Sequence, residues 1–139
     1  MQTKYIAIAT IVVMTVLGLG TLYFFRGSLG NTTPSTNTIH FTIYISERGF
    51  NGSADHTGSW PVMTVTQGQA VTIRINSSES VEAHGFAIEH YSARGISLSP
   101  NQSYNLTFVA DQTGTFRVYC NIFCAVHSLM QNGQLVVSS

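Results

Sequence analysis

The stretch "TGTFRVYCNIFCAVHSLM", residues 113–130, joins a strand pattern to the only two cysteines of the chain. Successive side chains of a strand point to opposite faces, so Phe116, Val118 and Cys120 share one face. Arg117 lies on the other face, which marks the first face as the buried one. The stretch therefore predicts a strand that ends with Cys120 at its inner edge, where the following loop can fold over it.

This loop gathers donor atoms that suit a metal ion. It supplies two thiols, an imidazole and a thioether, from Cys120, Cys124, His127 and Met130. Thiolate and thioether are soft donors and imidazole is borderline, so the set favours copper over magnesium, calcium or manganese. Structural zinc sites take four Cys or His ligands, and most iron–sulfur clusters take four thiolates, so both match the loop less well.

A disulfide is the competing interpretation of the two cysteines, because extracytoplasmic chains with an even cysteine count commonly pair them. A bond between Cys120 and Cys124 would close a very short loop and would restrain little unfolded-state entropy. It would also leave the adjacent histidine and methionine unexplained. We therefore favour a metal site.

A second stretch, "EAHGFAIEH" at residues 82–90, predicts a strand that carries a further ligand. His84, Phe86 and Ile88 fall on one face of this strand. A single histidine at the start of an inward apolar row is most often a core residue. Because the cysteine loop offers metal ligands elsewhere in the chain, we predict that His84 joins them, and that His90 is a strand-end residue that binds no metal.

Alternating apolar residues recur along the rest of the chain, and turn signals such as "NGS" at 51–53 and "QGQ" at 67–69 separate them. Short strands at this spacing, without a convincing amphipathic helix, predict an all-β fold, an antiparallel sandwich or barrel, over residues 39–139. The other alternating runs are "IHFTIYI" at 39–45, "VTIRI" at 71–75, "YNLTFV" at 104–109 and "GQLVV" at 133–137.

The charge balance argues against a nucleic-acid partner. Six basic and six acidic residues give a formal net charge of zero, with histidine neutral. No run of basic residues is present to hold a phosphate backbone. We therefore expect no nucleic acid among the partners.

The amino-terminal segment predicts a membrane anchor. "YIAIATIVVMTVLGLGTLYFF", residues 5–25, contains no charged residue, and about 20 apolar residues suffice to cross a bilayer as a helix. A cleaved signal peptide would have a shorter apolar core and small residues at its cleavage site. We expect an uncleaved transmembrane helix, followed by a flexible linker rich in Gly, Ser, Thr and Asn at residues 26–38.

The side of the membrane is set by weaker signals. Lys4 and Arg26 bracket the apolar segment, so the positive-inside rule gives almost no orientation. Triplets of the Asn-x-Ser/Thr type favour translocation of the domain. We expect a single-pass protein of the plasma membrane with its β domain on the extracytoplasmic side. The triplets begin at Asn31, Asn51, Asn76, Asn101 and Asn105.

The pattern Cys-x3-Cys-x2-His-x2-Met after an inward strand, with an earlier "HGF" strand, resembles the binuclear copper A domain of cytochrome c oxidase subunit II. The same cupredoxin module is found in nitrous oxide reductase. The resemblance runs from about Ile39 to Val137 and implies a Greek-key β-sandwich.

The resemblance also implies a ligand set for two copper ions. Cys120 and Cys124 would bridge both ions, and His84 and His127 would each bind one of them. The remaining two positions would be filled by the Met130 thioether, as a weak axial ligand, and by the main-chain carbonyl of Ile122.

The function implied by the resemblance is electron transfer. Such a domain takes single electrons from a soluble carrier, for example a cytochrome c or a small blue copper protein. It passes them to a membrane oxidase or reductase subunit. Nothing in the chain resembles the haem-bearing catalytic subunit, so we expect no catalytic centre in this chain.

Two alternatives stay open at this point. "CAVH" has two residues between the second cysteine and the histidine, where the family usually has three, and this shorter spacing also fits a mononuclear blue copper site. Such a site would use His84, Cys124, His127 and Met130. The other alternative is a copper chaperone that delivers metal to an oxidase, which would need exposed, exchangeable ligands.

Overall fold

The computed structural model describes residues 37–56, 59–78 and 80–139. Their strands form two sheets, one with four strands and one with five. The strands are β1 (Ile39–Ser46), β2 (Gly49–Phe50), β3 (Val62–Thr66), β4 (Ala70–Asn76), β5 (His84–Ile88), β6 (Ser92–Leu98), β7 (Ser103–Val109), β8 (Gly114–Tyr119) and β9 (Gly133–Ser138).

The order of strands is β2-β1-β4-β7 in the first sheet and β3-β9-β8-β5-β6 in the second. Most neighbouring strands are antiparallel, but β1 pairs with β4 and β3 pairs with β9 in parallel. Both sheets are therefore mixed, where the sequence predicted an antiparallel sandwich or barrel. Strands that follow each other in sequence often enter opposite sheets here, so some neighbours within a sheet run in the same direction.

The buried faces of the two sheets form one hydrophobic core. The alternation predicted from the sequence is confirmed in β1, where Ile43 and Ile45 are buried and Tyr44 is exposed. The coarser prediction of an all-β sandwich is thus confirmed, and the Greek-key connection stays a prediction. The largest fully buried side chains include Phe50, Phe86, Ile73, Ile75, Ile88, Met130 and Leu135.

Strand β5 is buried on both faces: all five of its residues are buried, including Gly85 and Ala87, which lie opposite the face of His84, Phe86 and Ile88. This strand lies between β8 and β6 inside its sheet, and the chain around Asn121 covers it at Gly85. Both faces of β5 are therefore shielded from water.

Among the described residues, no helix is both long and apolar enough to cross a membrane. The predicted anchor at 5–25 and positions 26–36 of the predicted linker lie outside the described residues.

Candidate metal centre

The predicted ligands come from two antiparallel neighbours in the five-stranded sheet. His84 is the first residue of β5, and Cys120 directly follows the end of β8. The register between the strands pairs Ala87 with Tyr119 and Ile88 with Val118. Because neighbours in an antiparallel pair run in opposite directions, the start of β5 meets the loop that follows β8.

The sulfur-bearing side chains of this loop turn inward. Cys120, Cys124 and Met130 are buried, with relative exposures of 1%, 4% and 0%, and His127 is half-buried. His127–Met130 forms a short 3₁₀ helix before β9. The main-chain N–H of Cys120 donates to the Met130 carbonyl over 2.8 Å, which closes the loop at its base.

The three sulfur atoms form a cluster. The sulfurs of Cys120 and Cys124 are 3.8 Å apart, and that of Cys124 is 3.9 Å from the Met130 sulfur. A disulfide has a sulfur–sulfur distance of about 2.05 Å, and both cysteines are free. The structure therefore favours the metal site over the disulfide.

His127 and Ile122 meet through a hydrogen bond. The His127 Nδ1–H donates to the Ile122 carbonyl over 2.8 Å, and Gln131 Nε2 donates to His127 Nε2 over 3.1 Å. The Cys120 thiol donates to the same carbonyl over 3.1 Å. Several of the atoms expected to bind metal are thus hydrogen-bonded to one another. Metal binding would release the thiol protons, because a cysteine binds metal as its thiolate.

His84 is completely buried, and neither of its ring nitrogens has a hydrogen-bond partner among the described residues. An unpartnered buried polar group costs about 1–3 kcal/mol. Glu47 Oε1 lies 3.7 Å from His84 Nε2, beyond hydrogen-bonding distance. An N–H from Val81 lowers the pKa of the Glu47 carboxyl, which keeps this neighbour of His84 ionised.

Two groups of donor atoms meet at Cys124. The first comprises Cys120, Cys124 and His127, and the second comprises Glu82, His84 and Cys124. Within each group the donor atoms all lie within 4.8 Å of one another. The structure therefore brings His84 next to the loop, as the sequence predicted, and sets the two imidazoles in separate groups that share one sulfur.

The surroundings of Cys124 disfavour a free thiolate. Burial, together with the nearby Cys120 and Glu82, raises the pKa of the Cys124 thiol to about 11. A metal cation that replaced the thiol proton would offset the negative charge of the thiolate, and would thereby remove the free-energy cost of burying that charge. The donors present, two cysteines, two histidines and a methionine, thus fit a bound copper ion in their chemistry and in the unpartnered nitrogens of His84.

The backbone around the site holds its two segments together. The main-chain N–H of Gly85 donates to the Cys120 sulfur over 3.2 Å, and the Glu82 carboxylate accepts the Ala125 N–H over 2.8 Å. A Cβ atom on Gly85 would lie 2.8 Å from the nitrogen of Asn121. This close approach requires glycine at position 85.

Sequence reasoning missed four residues of the site. Glu82 is only two positions before His84 and could have been noticed there, whereas Glu47 comes from the turn after β1 and gave no signal. Gln131 is one of many polar residues in the chain, and nothing in the sequence marks it as a neighbour of His127. Phe123, between the cysteines, is 93% exposed and places an aromatic ring on the surface next to the site.

His90, Met63 and Trp60 are in neither of these two donor groups. His90 follows β5 and binds Asp111 over 3.0 Å, as expected for a strand-end residue. Met63 is buried in β3. Trp60 is half-buried and stacks on His56 with ring centres 4.1 Å apart.

Comparison with known proteins gives relatives over half of the chain. No protein-family model matches the sequence. The chain is 38% identical over 76 residues to a nitrous-oxide reductase of Pseudomonas fluorescens and 34% identical over 76 residues to one of Stutzerimonas stutzeri. These matches cover 52% and 53% of the chain, which spans only 12% of the length of either relative.

Solved structures resemble the domain more broadly. A copper nitrite reductase from Nitrosomonas europaea superimposes with a TM-score of 0.59 at 20% identity, over 73% of this chain and 42% of that one. The auracyanin of Roseiflexus castenholzii gives a TM-score of 0.51 at 19% identity, over 72% of this chain and 97% of that one. The fold is cupredoxin-like. Together with the Cys-Cys-His-Met cluster, these findings confirm the resemblance seen in the sequence.

Proposed function

We propose that this chain is a copper-binding electron-transfer protein with a binuclear site of the copper A type. The observation that carries the proposal is the pair of donor groups that meet at Cys124. One group offers the imidazole of His127 and the other offers that of His84. Both groups are explained if two copper ions are bound, one near each imidazole, with the Cys124 sulfur common to both.

Each residue has a distinct part in this proposal. Cys120 and Cys124 would hold the copper through their thiolates, and His84 and His127 would each hold it through a ring nitrogen. Met130 and the Ile122 carbonyl would complete the set as weak ligands. When bound, copper supplies one-electron chemistry between its cuprous and cupric states.

The protein contributes a rigid frame for these ligands. Cys120 and Met130 are joined by a main-chain hydrogen bond, and the Gly85 N–H donates to the Cys120 sulfur. Fixed ligands change little in geometry when the charge of the site changes, which favours rapid electron exchange. The buried positions of the sulfurs also argue against a delivery chaperone, which would need exposed ligands.

The proposed partners follow from the resemblance. A soluble carrier such as a cytochrome c or a small blue copper protein would donate electrons, and a membrane oxidase or reductase subunit would accept them. The exposed Phe123 ring gives a donor an apolar contact next to the site. We place the domain on the extracytoplasmic side of the plasma membrane, held by an anchor at residues 5–25.

A mononuclear blue copper site is the second candidate. The two-residue spacing between Cys124 and His127 favours it. The 3.9 Å distance between the sulfurs of Cys124 and Met130 is compatible with it, because both could bind the same ion. It leaves the Cys120 thiol without a role beside the metal.

Removal of Cys120 separates the two candidates. The full 139-residue chain and its Cys120→Ser variant would be loaded with copper, freed of unbound metal, and cycled between ascorbate and ferricyanide. We expect two copper ions per wild-type chain, retained through the cycles, and a loss of at least one in the variant. Equal copper content and equal optical spectra in both proteins would support the mononuclear site instead.

A further inference from the structure

Glu82 lies beside the proposed copper site. One of its carboxylate oxygens, a ring nitrogen of His84 and the Cys124 sulfur all lie within 4.8 Å of one another. The resemblance to the copper A domain assigns no role to this residue. A carboxylate at this distance from an imidazole and a thiol is placed to bind the same ion.

Hydrogen bonds fix both the main chain and the side chain of Glu82. Its N–H donates to the Glu47 carboxylate over 3.3 Å, and its carbonyl accepts the Ser80 hydroxyl over 2.7 Å. Its own Oε1 accepts the Ala125 N–H over 2.8 Å. An ionised carboxylate has about four lone-pair positions on two oxygens, so capacity to bind a metal is left after this contact.

His84 provides independent support for a ligand at this position. It is 0% exposed, and both ring nitrogens are without a hydrogen-bond partner among the residues that the structure describes. A buried imidazole next to a buried sulfur and a carboxylate has the donor composition of a metal half-site. Of the two donor groups, this one has the harder ligands, since oxygen replaces one of the sulfurs.

Charge balance gives the carboxylate a purpose. Two thiolates carry two negative charges, which two cuprous ions neutralise. After loss of one electron the copper pair carries three positive charges, one more than the two thiolates neutralise. Carboxylates near His84 offset this charge: Glu47 lies 3.7 Å from its ring, and Glu82 is the one that also lies within reach of Cys124.

We propose that Glu82 is a side-chain ligand of the copper ion bound by His84 and Cys124, and that it stabilises the oxidised state of the site. This inference rests on the proposed function. It predicts that loss of the carboxylate favours the reduced state.

The test compares Glu82→Gln with the wild-type chain and with Glu89→Gln. Glutamine keeps an oxygen that can accept the Ala125 N–H, so this variant removes the charge and the strong ligand but keeps the loop contact. Glu89 is exposed and pairs with Arg117 over 3.1 Å, so its variant is a control with the same change of charge. Each copper-loaded protein is titrated with a reductant, and its paramagnetic resonance spectrum is recorded in the oxidised state.

In Glu82→Gln we expect the one-electron equilibrium to shift at least tenfold toward the reduced form, which is about 59 mV for one electron. We also expect altered copper hyperfine splitting, because a ligand is lost. Glu89→Gln should match the wild type in both measurements.

Three results would overturn the inference. A Glu82→Gln protein that matches the control in both measurements would show that the carboxylate does not act on the metal. A shifted equilibrium with unchanged hyperfine splitting would reduce Glu82 to a nearby charge. A wild-type chain that takes up no copper would overturn the proposed function itself, and the inference with it.

Discussion

At the residue scale, the burial of His84 has a cost that the rest of the described protein does not offset. Its ring nitrogens have lost water and gained no hydrogen bond, while the nearest carboxylate oxygen is 3.7 Å away. A group of this kind lowers the stability of a fold by about 1–3 kcal/mol. The presence of an unpartnered histidine at the start of β5 is explained if His84 binds a metal ion.

Replacement of His84 by leucine tests this explanation. In the metal-free protein, His84→Leu should raise the free energy of unfolding by about 1–3 kcal/mol, because an unpartnered polar group gives way to an apolar one of similar size. Copper should stabilise the wild type but give this variant much less stabilisation. Urea unfolding with and without copper measures both effects.

The exposed His40 of β1 provides the matched control. His40→Leu should change the free energy of unfolding by less than about 0.5 kcal/mol and leave the copper effect intact. A His84→Leu protein that is less stable than wild type without metal, yet equally stabilised by copper, would contradict the role given to His84.

The raised pKa of Cys124 predicts a dependence of stability on pH in the metal-free protein. The usual value is 9.0, and burial raises it in the folded state. Between the two values the unfolded chain binds fewer protons than the folded one, so the free energy of unfolding falls as pH rises above 9. A fall of about 1–3 kcal/mol between about pH 8 and about pH 11 is expected, since one pKa unit is worth about 1.4 kcal/mol.

Unfolding titrations at several pH values would measure this fall. Cys124→Ala removes the thiol, so its stability should decline less over the same range. Parallel curves for the two proteins would show that the Cys124 thiol is not responsible.

The sequence predicted most ligand candidates at this scale because they carry recognisable chemistry. Cysteine, histidine and methionine at short spacing indicate copper without any knowledge of the fold. Glu47 and Glu82 escaped notice since a carboxylate is common on surfaces. Glu82 stands two positions before His84 in the sequence, whereas only the folded chain reveals that Glu47 lies beside His84.

At the scale of elements, the site depends on close contact between β5 and the loop that follows β8. Gly85 permits this contact, because a side chain there would meet the main-chain nitrogens of Asn121 and Ile122 at 2.8 and 3.0 Å. The same glycine donates its N–H to the Cys120 sulfur. Gly85 is thus a residue at which strand β5 and the loop after β8 are in close contact.

A methyl group at this contact should affect stability and metal binding together. Gly85→Ala should lower the free energy of unfolding by about 1–3 kcal/mol, as added volume does in a packed interior. It should also weaken copper binding, since the loop must move away from His84. Competition with a chromophoric copper chelator measures the affinity.

Gly68→Ala separates these two effects. Gly68 has a φ of +86° and no atom within 4 Å of an added Cβ, so alanine there strains the backbone far from any side-chain contact. This variant should lose stability but keep its copper affinity. Equal loss of affinity in both variants would show that Gly85 acts only through general stability.

The alternation of apolar and polar residues predicted the strands well where one face of the strand is exposed to solvent. In β1 and β8, exposed residues alternate with buried ones as expected. In β5 the alternation fails, since the strand is shielded on both faces. The contact that shields Gly85 comes from Asn121, more than thirty positions away, and local pattern contains no information about it.

At the scale of the whole molecule, the sandwich determines which strand ends meet. The sequence predicted an all-β domain, but alternation says nothing about the direction of a neighbouring strand, so the parallel pairs β1 with β4 and β3 with β9 were not foreseen. The antiparallel pair of β5 with β8 is the one that matters for the site. It brings His84 to the loop of Cys120 and Cys124.

The central claim is that these side chains hold two copper ions that share one unpaired electron. The most direct measurement is the paramagnetic resonance spectrum of the copper-loaded, oxidised 139-residue chain, with copper content determined on the same sample. We predict two copper ions per chain and hyperfine splitting shared equally by two copper nuclei. Splitting by a single nucleus, with one copper ion per chain, would contradict the claim.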